Sequence, residues 1–405
     1  MKVFNILFLK RLLVWAFLFL LPTQLGTFFF MNFSYVHGVR VDYLAPAVYV
    51  TDLVFLLLCG FFWRHIKNHI HYHIKTYSIL SALAILNISF SLYPLWAFYI
   101  VLKLTQTIFL YFIFSSLTLK SEDVLSAFSA SAALQLVLTL MQFAQKSSLQ
   151  GVFYYLGERY MTLSTPGIAK ASLFGEQILR PYGTFSHPNS LAGYFLLIYS
   201  YALMHKTKSV LKPVTLALTA MLVLISFSKL AIFTFVFINI GYFIFFYSKK
   251  CTACTIARFS ILLVVAGIFL QTHTDPLSFE KRLWLFKQGL SIIMNNPFFG
   301  TGFGHHLFAH AAFPDRYSYF FLQPVHNIFV LFAMQAGLVL TSAVGYTFVQ
   351  HARKHSHTIR AFGIPVLAVL LFTGSGDHYW LTLQQNILLV GVVWGLVTGY
   401  SEVRG

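Results

Sequence analysis

The sequence predicts an all-α, polytopic membrane protein of about twelve transmembrane helices, and three observations carry that prediction. The chain is 58% hydrophobic and only 10% charged, whereas soluble domains run at about 45–50% apolar and about 25% charged. Apolar runs recur from one end of its 405 residues to the other, each near the roughly 20 residues that cross a bilayer core. Basic residues gather in alternate short segments between those runs, as cytoplasmic loops do. The net charge of +17, a pointer to nucleic acid in a soluble protein, therefore reports topology. The expected partner is the lipid bilayer, with no nucleic acid.

Helices are expected at roughly 12–30, 46–63, 77–93, 96–117, 124–143, 189–204, 213–228, 230–248, 259–272, 326–347, 361–376 and 382–400. Lys2, Lys10 and Arg11 precede the first apolar run in the manner of a signal peptide. No small-residue cleavage site follows, so this run reads as an uncleaved first helix. One set of alternate loops holds Lys2, Lys10, Arg11, Arg64, Lys67, Lys75, Lys120, Lys206, Lys208, Lys212, Lys249, Lys250, Arg258, Arg353, Lys354, Arg360 and Arg404, which is 17 of the 28 basic residues. The positive-inside rule then places both termini in the cytoplasm. Three cysteines give no disulfide framework. Cys251 and Cys254 form a lone CxxC in a basic loop and read as two thiols.

Residues 1–405 form a single integral membrane domain on this reading, with two long extracytoplasmic loops at about 144–188 and 273–325. Loops of that length are usually functional or disordered, and these are rich in aromatics and glycine rather than in the polar residues of disordered linkers. In the second, Phe279, Leu283, Phe286, Leu290 and Ile293 recur at steps of three and four, which predicts an amphipathic helix lying on the membrane surface. No internal repeat suggests the inverted halves of a transporter.

Eleven carboxylates are present and none forms an Asp-x-Asp pair, so no metal site and no cofactor are expected. Cations are the positive signal. Arg180 ends an uncharged stretch before a helix start, Lys229 breaks an apolar run where the seventh helix turns toward the eighth, and Arg282 lies on the predicted surface helix. Charge within a membrane is costly, and three cations at one boundary suit an anion. Ser186-His-Pro-Asn189 has the grammar of a helix start, with Pro188 at the first position and Ser186 or His187 as cap. Such a terminus presents N–H groups that suit a phosphate.

His326 is the leading candidate for a catalytic group, opening the tenth helix where a membrane-borne and an external substrate meet. An imidazole accepts a proton from a sugar hydroxyl as that hydroxyl attacks. His65, His69, His71 and His73 read as surface residues of a cytoplasmic loop, while His306 and His310 only imitate a metal-binding pair. The run Asn296-Pro-Phe-Phe-Gly-Thr-Gly-Phe-Gly304 lacks the Lys-Ser/Thr ending of a P-loop. Its glycines read as backbone in close approach beside a substrate.

In these motifs the chain resembles the O-antigen ligase/polymerase superfamily of bacterial membrane glycosyltransferases. The matching residues are Arg180, Gly183-Thr-Phe, His187-Pro-Asn189-x-Leu-Ala, Ser228-Lys229, Arg282, Asn296-Pro-x-x-Gly-x-Gly-x-Gly304, and His326-Asn327 with Gly337. Leu21-Pro-Thr-Gln-Leu-Gly and Asp42-Tyr-Leu-Ala-Pro have the look of some members. The resemblance implies a membrane glycosyltransferase of the C type in a bacterial cytoplasmic membrane, acting on the extracytoplasmic face. It implies transfer of a glycan from an undecaprenyl-diphosphate carrier to a hydroxyl-bearing glycan, lipid or protein, with inversion at the anomeric carbon. His326 is then the base, and Arg180, Arg282 and Lys229 hold the diphosphate. His187, Asn189, Asn327 and Asp377 take supporting roles. Two positions depart from the pattern. Lys229 replaces an arginine, which keeps charge but loses the bidentate fork, and Gln335 replaces a glutamate two residues before Gly337. The alternatives are a repeat-unit polymerase, a transferase to protein and, in a different class, a transporter or lipid-glycan flippase.

Overall fold

The computed structural model describes residues 2–117, 119–173, 175–245, 260, 262–264, 267, 269, 277–314, 316, 317 and 319–399. The chain is mostly helical and divides into two compact units. The first comprises Met1–Leu25, Thr118–Asp275 and Ala361–Thr373, and the second Gly26–Leu117, Pro276–Arg360 and Gly374–Gly405.

In the first unit, α1 (Lys2–Leu20) begins ten residues before the predicted start and stops early. Pro22 disfavours helix at the residue before it. Helix α6 (Ser121–Gln145) opens on Glu122 and Asp123, acidic residues that suit the positive N-terminal end of the helix dipole. The long segment after α6 is ordered by two amides of α6. Gln135 Oε1 accepts from Thr184 N at 3.1 Å, and Gln142 Oε1 accepts from Tyr182 N and Gly183 N at 3.0 and 2.8 Å. Glu158 is buried, accepting from Gln142 Nε2 at 2.7 Å and from Leu149 N at 2.9 Å. A hairpin of β5 (Lys170–Leu173) and β6 (Glu176–Leu179) precedes Arg180. Helix α7 (Pro188–Met204) is buried around almost its whole circumference, packing on α6 and on α8 (Leu211–Ile225). An all-apolar helix surface is stable when covered on every side. Helix α9 (Lys229–Phe245) follows. Of the predicted helix 259–272, residues 260, 262–264, 267 and 269 are described and helical, while Cys251 and Cys254 lie outside the described residues.

In the second unit, Gly26–Phe28 (β1) pairs antiparallel with Ala47–Tyr49 (β4), and a smaller hairpin of β2 (Tyr35–Val36) and β3 (Val39–Arg40) lies between them. Helix α2 (Val50–Phe61) starts where the Asp52 carboxylate caps Tyr49 N at 2.8 Å. The predicted loop 64–76 is helical over α3 (Trp63–Tyr72), and His69 stacks flat on Phe112 at 5.0 Å instead of standing free at the surface. Helices α4 (Ile74–Ser89) and α5 (Pro94–Ser116) follow, the latter with proline at its first position.

Lys103 is the basic residue that the sequence places inside a span, and the fold answers its charge directly. Its Nζ lies 2.6 Å from Asp52 Oδ2, while Asp52 Oδ1 accepts from Gln106 and Gln384 at 2.9 and 2.7 Å. A buried charge is tolerated when it is paired and its remaining hydrogen-bonding sites are filled.

Helices α10 (Ser278–Asn295), α11 (His306–Ala311) and α12 (Ile328–Lys354) come next. Then come α13 (Ser356–Gly374), of which Ala361–Thr373 belong to the first unit, α14 (Tyr379–Thr382) and α15 (Gln384–Gly399). α15 lies against α5 through Gly391, Gly395 and Gly399. A Cβ on Gly395 would sit 2.9 Å from Tyr111 O, and one on Gly391 or Gly399 would strike the carbonyl of Thr107 or Ser115. Small residues at every fourth position let two membrane helices approach backbone to backbone.

Among the described residues four helices are long and apolar enough to cross a membrane: α5, α6, α12 and α13. Helices α2, α4, α8, α9 and α15 are apolar but shorter, so the expected count of twelve is not reached. The helix predicted in this segment is α10. The residues it buries are Leu285, Gln288, Gly289 and Ile292. Of the stripe that the periodicity picked out, Phe279, Leu283 and Leu290 are exposed at 76%, 42% and 43%, while Phe286 and Ile293 pack against Leu285, Ile292, Val325 and Met334.

Candidate functional site

The sequence-predicted residues fall into two groups, one in each unit. In the first unit Arg180 is buried, 8% exposed. Its Nε donates to Ser226 O at 3.0 Å and its Nη2 to Asn189 Oδ1 at 2.7 Å. One guanidinium thus ties the segment after β6, the start of α7 and the turn between α8 and α9. The predicted cap of α7 is present: Pro188 is the first helical residue and His187 Nδ1 accepts from Asn189 N at 3.1 Å. In the α8–α9 turn Phe227 has φ +53° and is buried with Ile225, Ala171 and Ile178. Lys229 opens α9 and is exposed.

In the second unit the glycine-rich run 296–304 and the middle of α12 form one backbone structure. Gly337 breaks α12 with φ 72° and ψ 168°. The run pairs with that break: Thr301 N donates to Met334 O at 2.8 Å and Leu338 N to Pro297 O at 2.7 Å. A side chain on Gly337 would collide with Phe298 O. The glycines are in close approach, as expected: Gly300 meets the backbone of α12 at Gln335 and Gly337, Gly302 meets Ser91 and Gly304 meets Trp96. Gln335 Oε1 accepts from Gly304 N at 2.7 Å and Asn87 Oδ1 from Phe303 N at 3.0 Å. The amide at 335 holds the run through a neutral hydrogen bond.

This framework sets α12 so that Asn327 caps it, accepting from Phe329 N at 3.0 Å and Val330 N at 3.1 Å. Asn327 Nδ2 also donates to Ser375 O at 3.2 Å. His326, immediately before the cap, is thereby held against the segment Ser375-Gly-Asp-His378. One ligand-type atom from each of His326, Asp377 and His378 lies within 4.8 Å of the others, and the rings of His326 and His378 meet edge to face at 4.9 Å. Arg282 reaches the same segment from α10, its Nη1 donating to Gly376 O at 3.2 Å. Tyr43 packs edge-on against His378 at 5.6 Å.

His326, Asn327, Arg282 and Asp377 are therefore brought together, and His378 is a member that sequence reasoning missed. Burial pushes His378 below the ordinary histidine range, the Asp377 carboxylate opposes that shift and the Arg282 guanidinium reinforces it. The trio is the group among the described residues that has the donor set to hold a metal ion. His306 and His310 of α11 are buried and serve packing. Burial, with His310 and His378 nearby, takes His306 down to about 3, and burial takes His310 down to about 4. His310 Nδ1 faces Gln288 Oε1 at 2.9 Å. His305 is fixed by its own backbone partners, Nε2 accepting from Tyr93 N at 2.9 Å and Nδ1 meeting Phe303 O at 2.8 Å.

Residues 214–345 match a family model described as O-antigen ligase. The match runs from α8 through α12 and includes Lys229, Arg282, the glycine-rich run and His326. It supports the O-antigen ligase-like superfamily for this chain, whose enzymes are membrane glycosyltransferases of ligase or polymerase type. No curated protein matches the chain.

Proposed function

We propose that the chain moves a glycan from an undecaprenyl-diphosphate carrier to a hydroxyl acceptor on the outer face of a bacterial cytoplasmic membrane, with His326 as the base. The observation that carries this reading is the convergence of His326, Asp377 and Arg282 on one segment of the second unit. His326 takes the proton from the acceptor hydroxyl as its oxygen bonds to the anomeric carbon. The bond from that carbon to the diphosphate breaks, and the diphosphate leaves with the electron pair. A single displacement inverts the anomeric centre. Asp377 steadies the positive charge that the imidazole gains. Arg282 stabilises the charge growing on the leaving group, a contact typically worth about 3–4 kcal/mol when preorganised. Arg180 and Lys229 are proposed as further anion-binding groups, with Asn189 and His187 setting Arg180 and the start of α7.

An open groove of about 500 Å³ beside α10 supports a glycan substrate. It is lined by Trp284, Phe313, Gln288, Ser291, Lys287 and Arg316, pairing aromatic surface for sugar faces with polar and cationic groups for hydroxyls and acidic substituents. Purified protein in lipid, given an undecaprenyl-diphosphate glycan and a hydroxyl acceptor, should form product that His326→Ala fails to form. A loss of about 10²–10⁴-fold is expected of a missing general base. Wild-type turnover by the variant would remove His326 from the chemistry.

A further inference from the structure

We infer that His326, Asp377 and His378 form a binding site for a divalent transition-metal ion, zinc(II) above all, and that an ion held there silences the proposed base. The binding half stands on the geometry alone, and the silencing half rests on the function proposed for His326. Three donor atoms within 4.8 Å of one another require only small side-chain movements to meet a single ion at the roughly 2.0–2.2 Å typical of zinc bonded to imidazole and carboxylate.

The surroundings set the donors in the correct form. His378 Nδ1 lies 2.7 Å from Thr382 Oγ1, and that hydroxyl donates to His378 O at 3.2 Å. The hydroxyl proton is thus spent on the carbonyl, so Nδ1–H donates to Oγ1. Nε2 is left as the atom with a lone pair. A hydrogen bond that fixes the tautomer from behind is what metal-ligating histidines ordinarily have. Asp377 Oδ1 accepts from His378 N at 2.8 Å, which fixes the carboxylate beside the rings. Asn327 fastens the segment carrying His326 to the segment carrying the other two. Both Asp377 and His378 are 6% exposed, so the ligands are supported by packing.

Two imidazoles and one carboxylate select zinc, cobalt or nickel over magnesium and calcium, which need more oxygen donors. Arg282, bonded to Gly376 O, places a positive charge next to the site and weakens its hold on any cation. An imidazole that gives its lone pair to an ion accepts no proton from a hydroxyl, so occupation and base function exclude each other.

The test uses the full chain in lipid nanodiscs, purified without a polyhistidine tag, and cobalt(II) as the probe. One equivalent should bind with the visible absorption of a low-coordinate cobalt centre, and zinc should displace it. His378→Ala and Asp377→Asn should each weaken binding by about 10-fold or more, and Arg282→Ala should tighten it. Binding that is absent, or equal in all these variants, overturns the site. In the transfer assay zinc should inhibit and a chelator should restore activity, whereas full turnover at saturating zinc overturns the silencing. If His326→Ala transfers normally while the wild-type chain binds cobalt, the function of His326 fails and the metal site survives. If His326→Ala is inactive but no cobalt binds, the reverse holds.

Discussion

Arg180 and Arg282 come from equally suggestive motifs, yet the fold uses them differently. Arg180 is buried and bonds both Ser226 O and Asn189 Oδ1, so it holds three chain segments of the first unit together. Arg282 is half-buried and bonds one carbonyl next to Asp377 and His378. The first is built into its unit's framework, and the second stands beside the proposed base and its neighbours. A cation in a motif is thus two different objects, according to what its fork already grips.

Substitution of each arginine sharpens that contrast. Arg282→Ala should lower kcat/KM by roughly 10²–10³-fold, the size expected when one preorganised charge-stabilising contact is lost. The loss should appear in the dependence on donor and leave thermal stability near wild type. An unchanged donor dependence would detach Arg282 from the diphosphate. Arg180→Ala should lower the unfolding temperature. Hydrogen bonds to a charged group contribute about 1.5–3 kcal/mol each, and Ser226 O and Asn189 Oδ1 would lose their donor. A stable Arg180→Ala protein would show that the first unit does not depend on this tie.

The smallest expected effect concerns the packing around the second group. His310, held at about 4 by burial, stays neutral in the folded chain while the unfolded chain takes up a proton near the ordinary histidine value. Its contribution is therefore complete above about pH 6.5 and is lost as pH falls from there toward 4, at about 1 kcal/mol per pH unit. His310→Gln should flatten the decline of unfolding temperature between those values. An unaltered slope would assign the acid sensitivity to other groups.

Much of this was legible in the sequence, and the exceptions have physical causes. Most apolar helices fall near their expected places, and the cap formed by His187 and Pro188 follows from local backbone chemistry alone. The apolar stripe of α10 was legible but its inward-packed face was not, because an exposed apolar stripe and a packed one share the same period. Leu285 and Ile292 pack inward while Phe279 and Leu283 stay exposed. The role of the glycine-rich run was half legible: glycine announces close approach but not the partners, which are the broken α12 for Gly300, Ser91 for Gly302 and Trp96 for Gly304. His378 carried no local signal beyond its place after Asp377 and near Gly374 and Gly376. Its meeting with His326 is made by tertiary contacts such as Asn327 to Ser375. Helix α3 was hidden because eight of its ten residues are polar or aromatic and read equally well as a loop.

Chemical rescue tests the central role of His326 most directly. His326→Ala in lipid, supplied with donor, acceptor and free imidazole, should regain turnover in proportion to imidazole, and substituted imidazoles of higher basicity should restore more. Transfer at the wild-type rate without any imidazole would contradict the assignment, because the proton of the attacking hydroxyl would then be leaving by another route.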